Sequence, residues 1–275
     1  MNVSVNTNSG AMIALQNLNK TNMDLQQTQN RINTGLEVSS AKDNGGIYAI
    51  AQRMRSQVSG FGVVDQILDR GEATLDVALA AGEAISDLLI EMNEKALAAS
   101  DASLDTASRS ALNEDFKALR DQISTIVSNA EFNGVNLIDG STNSFVALAN
   151  QDGSNTITVS SENMSLSGSI VSVTTTASFA TATQASNIAS QISTSLDAVN
   201  SALARLGTKS KALEIHSSFV TKLSDALEKG IGNLVDADLA KESASLQALQ
   251  VKQQLGTQAL SIANQQPQSI LSYFG

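Results

Sequence analysis

Three groupings of side chains in this sequence could do chemistry, and each has a plainer explanation. His216 is the single histidine, and no cysteine is present to share a metal or a redox step with it. A lone histidine on a patterned helix is expected to be structural. Asp236, Asp238 and Glu242 are spaced as a carboxylate cluster that could hold a cation. They also open an apolar-periodic run, where acids favour the positive end of the helix dipole, and that is the expected role. Gly45-Gly46 and Asn133-Gly134 suggest pieces of a phosphate loop, but no Gly-Lys-Ser/Thr follows either. No nucleophile–base pair, metal cluster or cofactor loop is legible. The chain is therefore expected not to be an enzyme and to use no cofactor.

The totals point to packed helices. Hydrophobic residues make up 42% of the 275, but aromatics only 3%, and tryptophan is absent. Such a core must come from Ala, Leu, Ile and Val. A single proline leaves room for very long helices, because proline clashes and removes a donor inside one. The formal charge of −10 excludes a nucleic-acid surface, which must be basic. Residues 1–42 carry Lys20, Arg31 and Lys42 against Asp24 and Glu37. Residues 231–275 carry Lys241 and Lys252 against Asp236, Asp238 and Glu242. The excess acid falls between these nearly neutral ends, which suits an exposed middle and buried termini. No run of 18 apolar residues predicts a membrane helix. The apolar run Ala11–Leu15 is too short for a secretory leader, so export without a cleaved leader or a cytoplasmic location is expected.

Heptad spacing organises most of the chain. Ala11, Leu15, Leu18, Asn22, Leu25, Gln29, Ile32 and Leu36 alternate fours and threes, and Asn33-Thr34-Gly35 predicts a helix end. A stronger track runs from Ile47 and Ile50 through Val64, Leu68, Gly71, Leu75, Gly82, Ile85 and Leu89 to Ala99. It predicts one helix over 45–99, roughly 80 Å long. Leu112, Phe116, Leu119, Ile123 and Ile126 predict a helix near 105–129. The Ser/Thr-rich stretch 141–180 predicts two to four short strands, with a hairpin turn at Asp152-Gly153. From Gln184 the track returns through Ile192, Leu196, Val199, Leu203 and Leu213, with a break expected at Gly230-Ile231-Gly232-Asn233. A last track carries Leu239, Glu242, Leu246, Leu249, Gln253, Gly256, Leu260, Pro267 and Ile270.

The predicted fold class is mainly α: long antiparallel helices in a coiled-coil-like bundle, with a small β-hairpin segment mid-chain. Five segments are expected: 1–42, an N-terminal helix; 43–140, the N-terminal half of the bundle; 141–183, a short β-rich segment; 184–230, the C-terminal half; and 231–275, a C-terminal helix. Ile50, Val64, Leu68, Leu75, Ile85, Leu89, Leu119, Ile123, Leu196 and Leu203 are the expected bundle core. The terminal tracks hold Asn22, Gln29, Glu242, Gln253 and Gly256 where a seam wants leucine. Leu15, Leu18, Leu25, Ile32, Leu239, Leu246, Leu249, Leu260 and Ile270 are therefore expected to pack against other subunits, because helices with thin seams are marginal alone.

Both ends carry specific motifs. On the N-terminal side these are Asn6-Thr7-Asn8, Ala14-Leu15-Gln16-Asn17-Leu18, Gln29-Asn30-Arg31-Ile32-Asn33-Thr34-Gly35-Leu36 and Ser40-Ala41-Lys42-Asp43. On the C-terminal side they are Asn233-Leu234-Val235-Asp236-Ala237-Asp238, Gln253-Gln254 and Ala263-Asn264-Gln265 through Ile270-Leu271-Ser272. Glu131-Phe132-Asn133-Gly134-Val135 adds a turn motif. With these the sequence resembles the bacterial flagellins, over about 1–140 and 184–275, and the helix segments Asp76–Gly82 and Lys95–Asp101 resemble the short alphaproteobacterial type. The resemblance implies a homo-oligomeric helical filament for swimming motility, located outside the cell, with 1–42 and 231–275 as inner-tube helices and 141–183 as an outward segment. It implies unfolded export by the flagellar type III apparatus and, as partners, an export chaperone, cap and hook-junction proteins, with no nucleic acid and no membrane. It also makes the Ser/Thr-rich middle a candidate for O-glycosylation. Positions aligned with the family's receptor-triggering Arg, Leu and Glu look like Glu91, Lys95 and Asp115, which implies weak activation of the animal flagellin receptor. A hook–filament junction protein is the nearest alternative, and a signalling coiled coil a more distant one.

Overall fold

The computed structural model describes residues 7–271, with side chains as far as residue 265. Five helices carry the fold: α1 Ser9–Thr34, α2 Gly45–Ala99, α3 Thr106–Asn129, α4 Ala182–Val235 and α5 Leu239–Leu271. Four short strands sit between α3 and α4: β1 Glu131–Phe132, β2 Val135–Asn136, β3 Ser144–Leu148 and β4 Thr156–Ser160. They pair antiparallel as two separate hairpins. The class is mainly α with small hairpins, as the periodicity predicts.

Local chemistry sets the helix ends. Asn8 Oδ1 accepts the Ala11 amide at 3.0 Å, and Gly35 closes α1 in the left-handed region at φ 71°. Asn44 Oδ1 receives the amides of Gly46 and Ile47 at the start of α2. Asp105 caps α3 by accepting from Ser108 N at 2.9 Å. Asn133 and Gly134 both take positive φ, 50° and 80°, the two-residue turn that β1–β2 requires. Gly153 serves the β3–β4 turn at φ 71°.

The chain forms two compact units. One runs to Ser56 and resumes at Ala226, and the other is Gln57–Asp225. Both divisions fall inside the long helices α2 and α4, not at 42/43 and 230/231. Helix α4 also runs unbroken through Gly230–Asn233 to Val235, against the expected interruption. The reason at Gly230 is close packing: a Cβ there would stand 2.8 Å from Met54 Cε, so the glycine admits a neighbour rather than ending a helix.

In the second unit, α2 and α4 run antiparallel. Gly71 meets Leu213 and the Phe145 ring, and Gly82 meets Leu203 and Met164. Val64, Leu68, Leu75, Ile85, Leu89 and Ile123 are fully buried, while Leu119, Leu196 and Leu203 are half-buried. Phe116 and Phe179 pack with ring centroids 5.2 Å apart. The expected strands at 164–166 and 170–173 shrink to one isolated bridge between Leu166 and Val171.

One expected core residue is displaced. Ile50 is 54% exposed, while its neighbour Ala51 is fully buried with Val38 and Val235. The inward track therefore starts Ile47, Ala51, Met54, with Ala51 replacing Ile50 between two positions that the heptad placed correctly. The small alanine admits the chain that enters α2, because Glu37 and Val38 donate to Val235 O at 2.7 and 3.3 Å.

Candidate assembly surface

The terminal helices α1 and α5 pair with each other along their length. Their seam is polar at places where a self-sufficient pair would be apolar. Gln253 Nε2 donates to Asn22 Oδ1 at 2.8 Å. Arg31 Nη1 donates to Glu242 Oε1 at 3.0 Å, and Glu37 stands 3.9 Å from the same guanidinium. Asn8 Nδ2 donates to the Ala263 carbonyl at 2.6 Å. A Cβ on Gly256 would lie 3.2 Å from Leu18 Cδ1, so that glycine is where the two helices draw together. Asn22 and Gln253, polar positions of the two tracks, thus answer one another across the seam, and with the Arg31–Glu242 pair they fix its register, as buried polar pairs do in coiled coils.

Apolar cover is thin. The one fully buried residue of α1 is Thr28, and that of α5, among its described side chains, is Glu242. Leu18, Leu25, Ile32, Leu246, Leu249 and Leu260 are only half-buried in the seam. Leu15 and Leu239 are about half exposed. The Ile270 side chain lies outside the described residues. Further apolar groups face away from the seam: Met12 at 67%, Ile13 and Met23 on α1, and Val251, Leu255 and Ile262 on α5.

The pair is rooted in a small clamp. Leu36 and Asp236 form an isolated bridge, Ala237 donates to Gly35 O at 2.9 Å, and Val38, Ala51 and Val235 close beneath them. Asp238 Oδ1 accepts the amides of Ala240 and Lys241 at 3.0 and 3.1 Å, so it caps α5. Glu242 turns instead to Arg31, a partner the dipole argument did not foresee. Among the described residues no group of three His, Cys, Asp or Glu side chains could hold a metal ion.

Other candidate residues have structural partners. His216 Nε2 lies 2.7 Å from the Ala149 carbonyl, tying α4 to the end of β3. Lys95 pairs with Asp115 at 2.8 Å between α2 and α3, and Glu91 beside it is exposed. Two buried arginines escaped the sequence reasoning. Arg109 donates to the carbonyls of Ala99, Asp101 and Leu104, which end α2 and begin the loop after it. Arg120 donates to Ala177 O at 2.8 Å and bridges to Asp121. Arg109 stands seven residues before Phe116, on the seam of α3 extended by one position, where an arginine gives no signal of burial, and Arg120 lies one residue off that seam.

A helical chain whose terminal hairpin is under-covered points to a structural, assembling class of protein. Comparison with known proteins narrows it. Residues 5–143 match the bacterial flagellin N-terminal helical region, and residues 189–274 the bacterial flagellin C-terminal helical region. The chain is 56% identical to flagellin FljK of Caulobacter vibrioides over 271 residues, 98% of each chain. It is 38% identical to a flagellin of Brucella melitensis, covering 98% of this chain and 99% of that one. In fold it resembles Bacillus cereus flagellin, with a TM-score of 0.50 at 17% identity over 56% of this chain and 88% of that one. It also resembles a protein from Vibrio parahaemolyticus described as flagellar hook-associated, with a TM-score of 0.60 at 14% identity over 70% of this chain and all of that one. The chain belongs to the bacterial flagellin family, and is a flagellar structural protein rather than an enzyme.

Proposed function

We propose that this chain is the subunit of a flagellar filament outside the cell, exported unfolded by the flagellar type III apparatus and used for swimming. One observation carries the reading beyond family membership: among their described side chains α1 and α5 bury no apolar group fully between them, while Met12, Ile13, Met23, Val251, Leu255 and Ile262 stand exposed. Apolar surface of that extent on a helix pair is stabilised by cover, and further copies of the same pair supply it. Leu15, Leu18, Leu25, Ile32, Leu239, Leu246, Leu249, Leu260 and Ile270 are the proposed subunit-packing residues. The two terminal segments form the inner part of the assembly, and the hairpin region 141–183 points outward. An export chaperone, cap and hook-junction proteins are the proposed partners, and the Ser/Thr residues of the outward region the proposed sites of O-glycosylation.

Electron microscopy of the purified chain tests this: long filaments are expected, and their absence at every concentration would refute it. A chain ending at residue 232 is expected not to polymerise while keeping the helical signal of residues 57–225. The likeness in fold to a hook-associated protein favours one second reading, a junction protein between hook and filament. That reading predicts short terminating assemblies in place of long filaments.

A further inference from the structure

Sulfur is exposed unevenly along the chain. Among the described residues, Met92 and Met164 are fully buried in the core of the second unit. Met54 is half-buried, and its Cε lies 2.8 Å from where a Cβ on Gly230 would stand. Met12 and Met23, both on α1, are instead 67% and 63% exposed. They stand 11 residues apart, close to a whole number of helix turns, so they lie on one face of α1. Leu18 and Asn22, which meet Gly256 and Gln253 of α5, lie on another face, roughly 100° round the helix. Gln16, Asn19, Gln26 and Asn30 share the methionine face, and all four are exposed and uncharged. The two thioethers are therefore the large apolar groups of that face.

A thioether reacts with hydrogen peroxide as a two-electron reductant. The O–O bond breaks, an S–O bond forms at a sulfur lone pair, and the peroxide leaves as water. The product, methionine sulfoxide, is polar where methionine is apolar, and a methionine sulfoxide reductase with its thiol reductant reverses the step, releasing the oxygen as water. Exposure selects which sulfur reacts, so the two on α1 are attacked ahead of Met92 and Met164.

We propose that Met12 and Met23 are a modification site: peroxide oxidises both thioethers to sulfoxides in the unassembled chain, and the oxidised chain is barred from joining other copies until it is reduced. The proposal rests on the assembly reading, in which further copies cover this face. Two sulfoxides turn a mixed face into a wholly polar one. Covering it then gains no apolar burial from either side chain and strips water from two new polar groups. Once a copy has joined, the same cover shields both sulfurs, so the polymer resists the oxidant that stops its growth.

Brief treatment of the full-length, unassembled chain with dilute hydrogen peroxide tests this. Peptide mass spectrometry locates the added oxygen, and sedimentation reads the critical concentration for polymerisation. Met12 and Met23 should be oxidised about tenfold or more faster than Met92 and Met164. The critical concentration of the oxidised chain should rise by about tenfold or more. Met12→Leu with Met23→Leu keeps apolar side chains of similar volume without the sulfur. That variant should lose the response, with critical concentrations before and after treatment agreeing within about twofold whatever their starting value. Three results overturn the site: Met92 or Met164 oxidised as fast as the α1 pair, an oxidised parent that polymerises like the untreated one, or a double variant that peroxide still blocks. If the double variant fails to polymerise before treatment, enzymatic reduction of the oxidised parent decides. Recovery in step with the return of the Met12 and Met23 thioethers supports the site, and no recovery overturns it. An untreated parent that never polymerises sinks the assembly reading and this site together, whereas an oxidised parent that polymerises normally sinks the site alone.

Discussion

Glu72 sits on α2 where burial, then the charges of Asp76, Glu214 and Asp69, push its carboxyl above the ordinary value of 4.5, with Lys211 offsetting part of this. The folded chain therefore holds the Glu72 proton more tightly than the unfolded one. Ionised Glu72 weakens the fold, and does so increasingly as pH rises through the raised value. Glu72→Gln should raise the melting temperature at pH 7, and the gain should fade as the pH drops below about 4.5. Calorimetry at both pH values checks this, and a gain equal at the two would contradict the assignment. Asp105 has the opposite sign. Hydrogen bonds from the Ser108 amide and hydroxyl hold its carboxyl below the usual range, so its contribution is present at neutral pH and is lost in acid. Arg109 acts through geometry instead. Its guanidinium occupies the Ala99 carbonyl at the C-terminal end of α2, an acceptor a helix end otherwise leaves without a donor, and the Asp101 and Leu104 carbonyls of the loop beyond.

At the scale of elements, the glycines divide by what stands opposite them. A Cβ on Gly71 would lie 2.5 Å from Phe145 Cε1, an atom of a rigid ring, so Gly71→Ala should destabilise by about 1–3 kcal/mol. On Gly82 the clash at 2.7 Å is with Leu203 Cδ2, the free end of a flexible side chain, and the cost should be smaller. Gly207 has nothing within 4 Å, so Gly207→Ala should stabilise α4 by about 0.5–1 kcal/mol. Urea melts of the three variants check the order, and a loss at Gly207 would contradict it. The same glycines mark how far sequence carried. The span of α2 was legible because one three-four alternation runs from Ile47 to Ala99 and no proline interrupts it. The Gly35 cap and the Asn133-Gly134 and Asp152-Gly153 turns were legible because only a few residue types tolerate positive φ. Gly230 and Gly232 misled because composition cannot separate a glycine that ends a helix from one that lets Met54 approach. Ile50 misled because the choice between it and Ala51 depends on Val38 and Val235, which are distant in sequence. The terminal seam was half legible: spacing showed its polar positions, but only the fold pairs Asn22 with Gln253 and Arg31 with Glu242.

At the scale of the whole molecule, the two units differ in how they are stabilised. Residues 57–225 hold an apolar core of their own, from Phe61 through Phe116 to Val220. The α1–α5 pair holds a polar register and exposed apolar faces. Each polar contact there sets alignment, but a hydrogen bond contributes little net stability beside buried apolar area. The account therefore divides the labour: one unit folds alone, and the other completes its burial among copies. Hydrogen exchange of the full chain before and after polymerisation tests this division most directly. In monomers the amides of 9–34 and 239–271 should exchange on the order of a hundredfold faster than those of 57–99, and filaments should slow them to a comparable rate. Terminal helices protected in the monomer as strongly as α2, and unchanged on polymerisation, would contradict it.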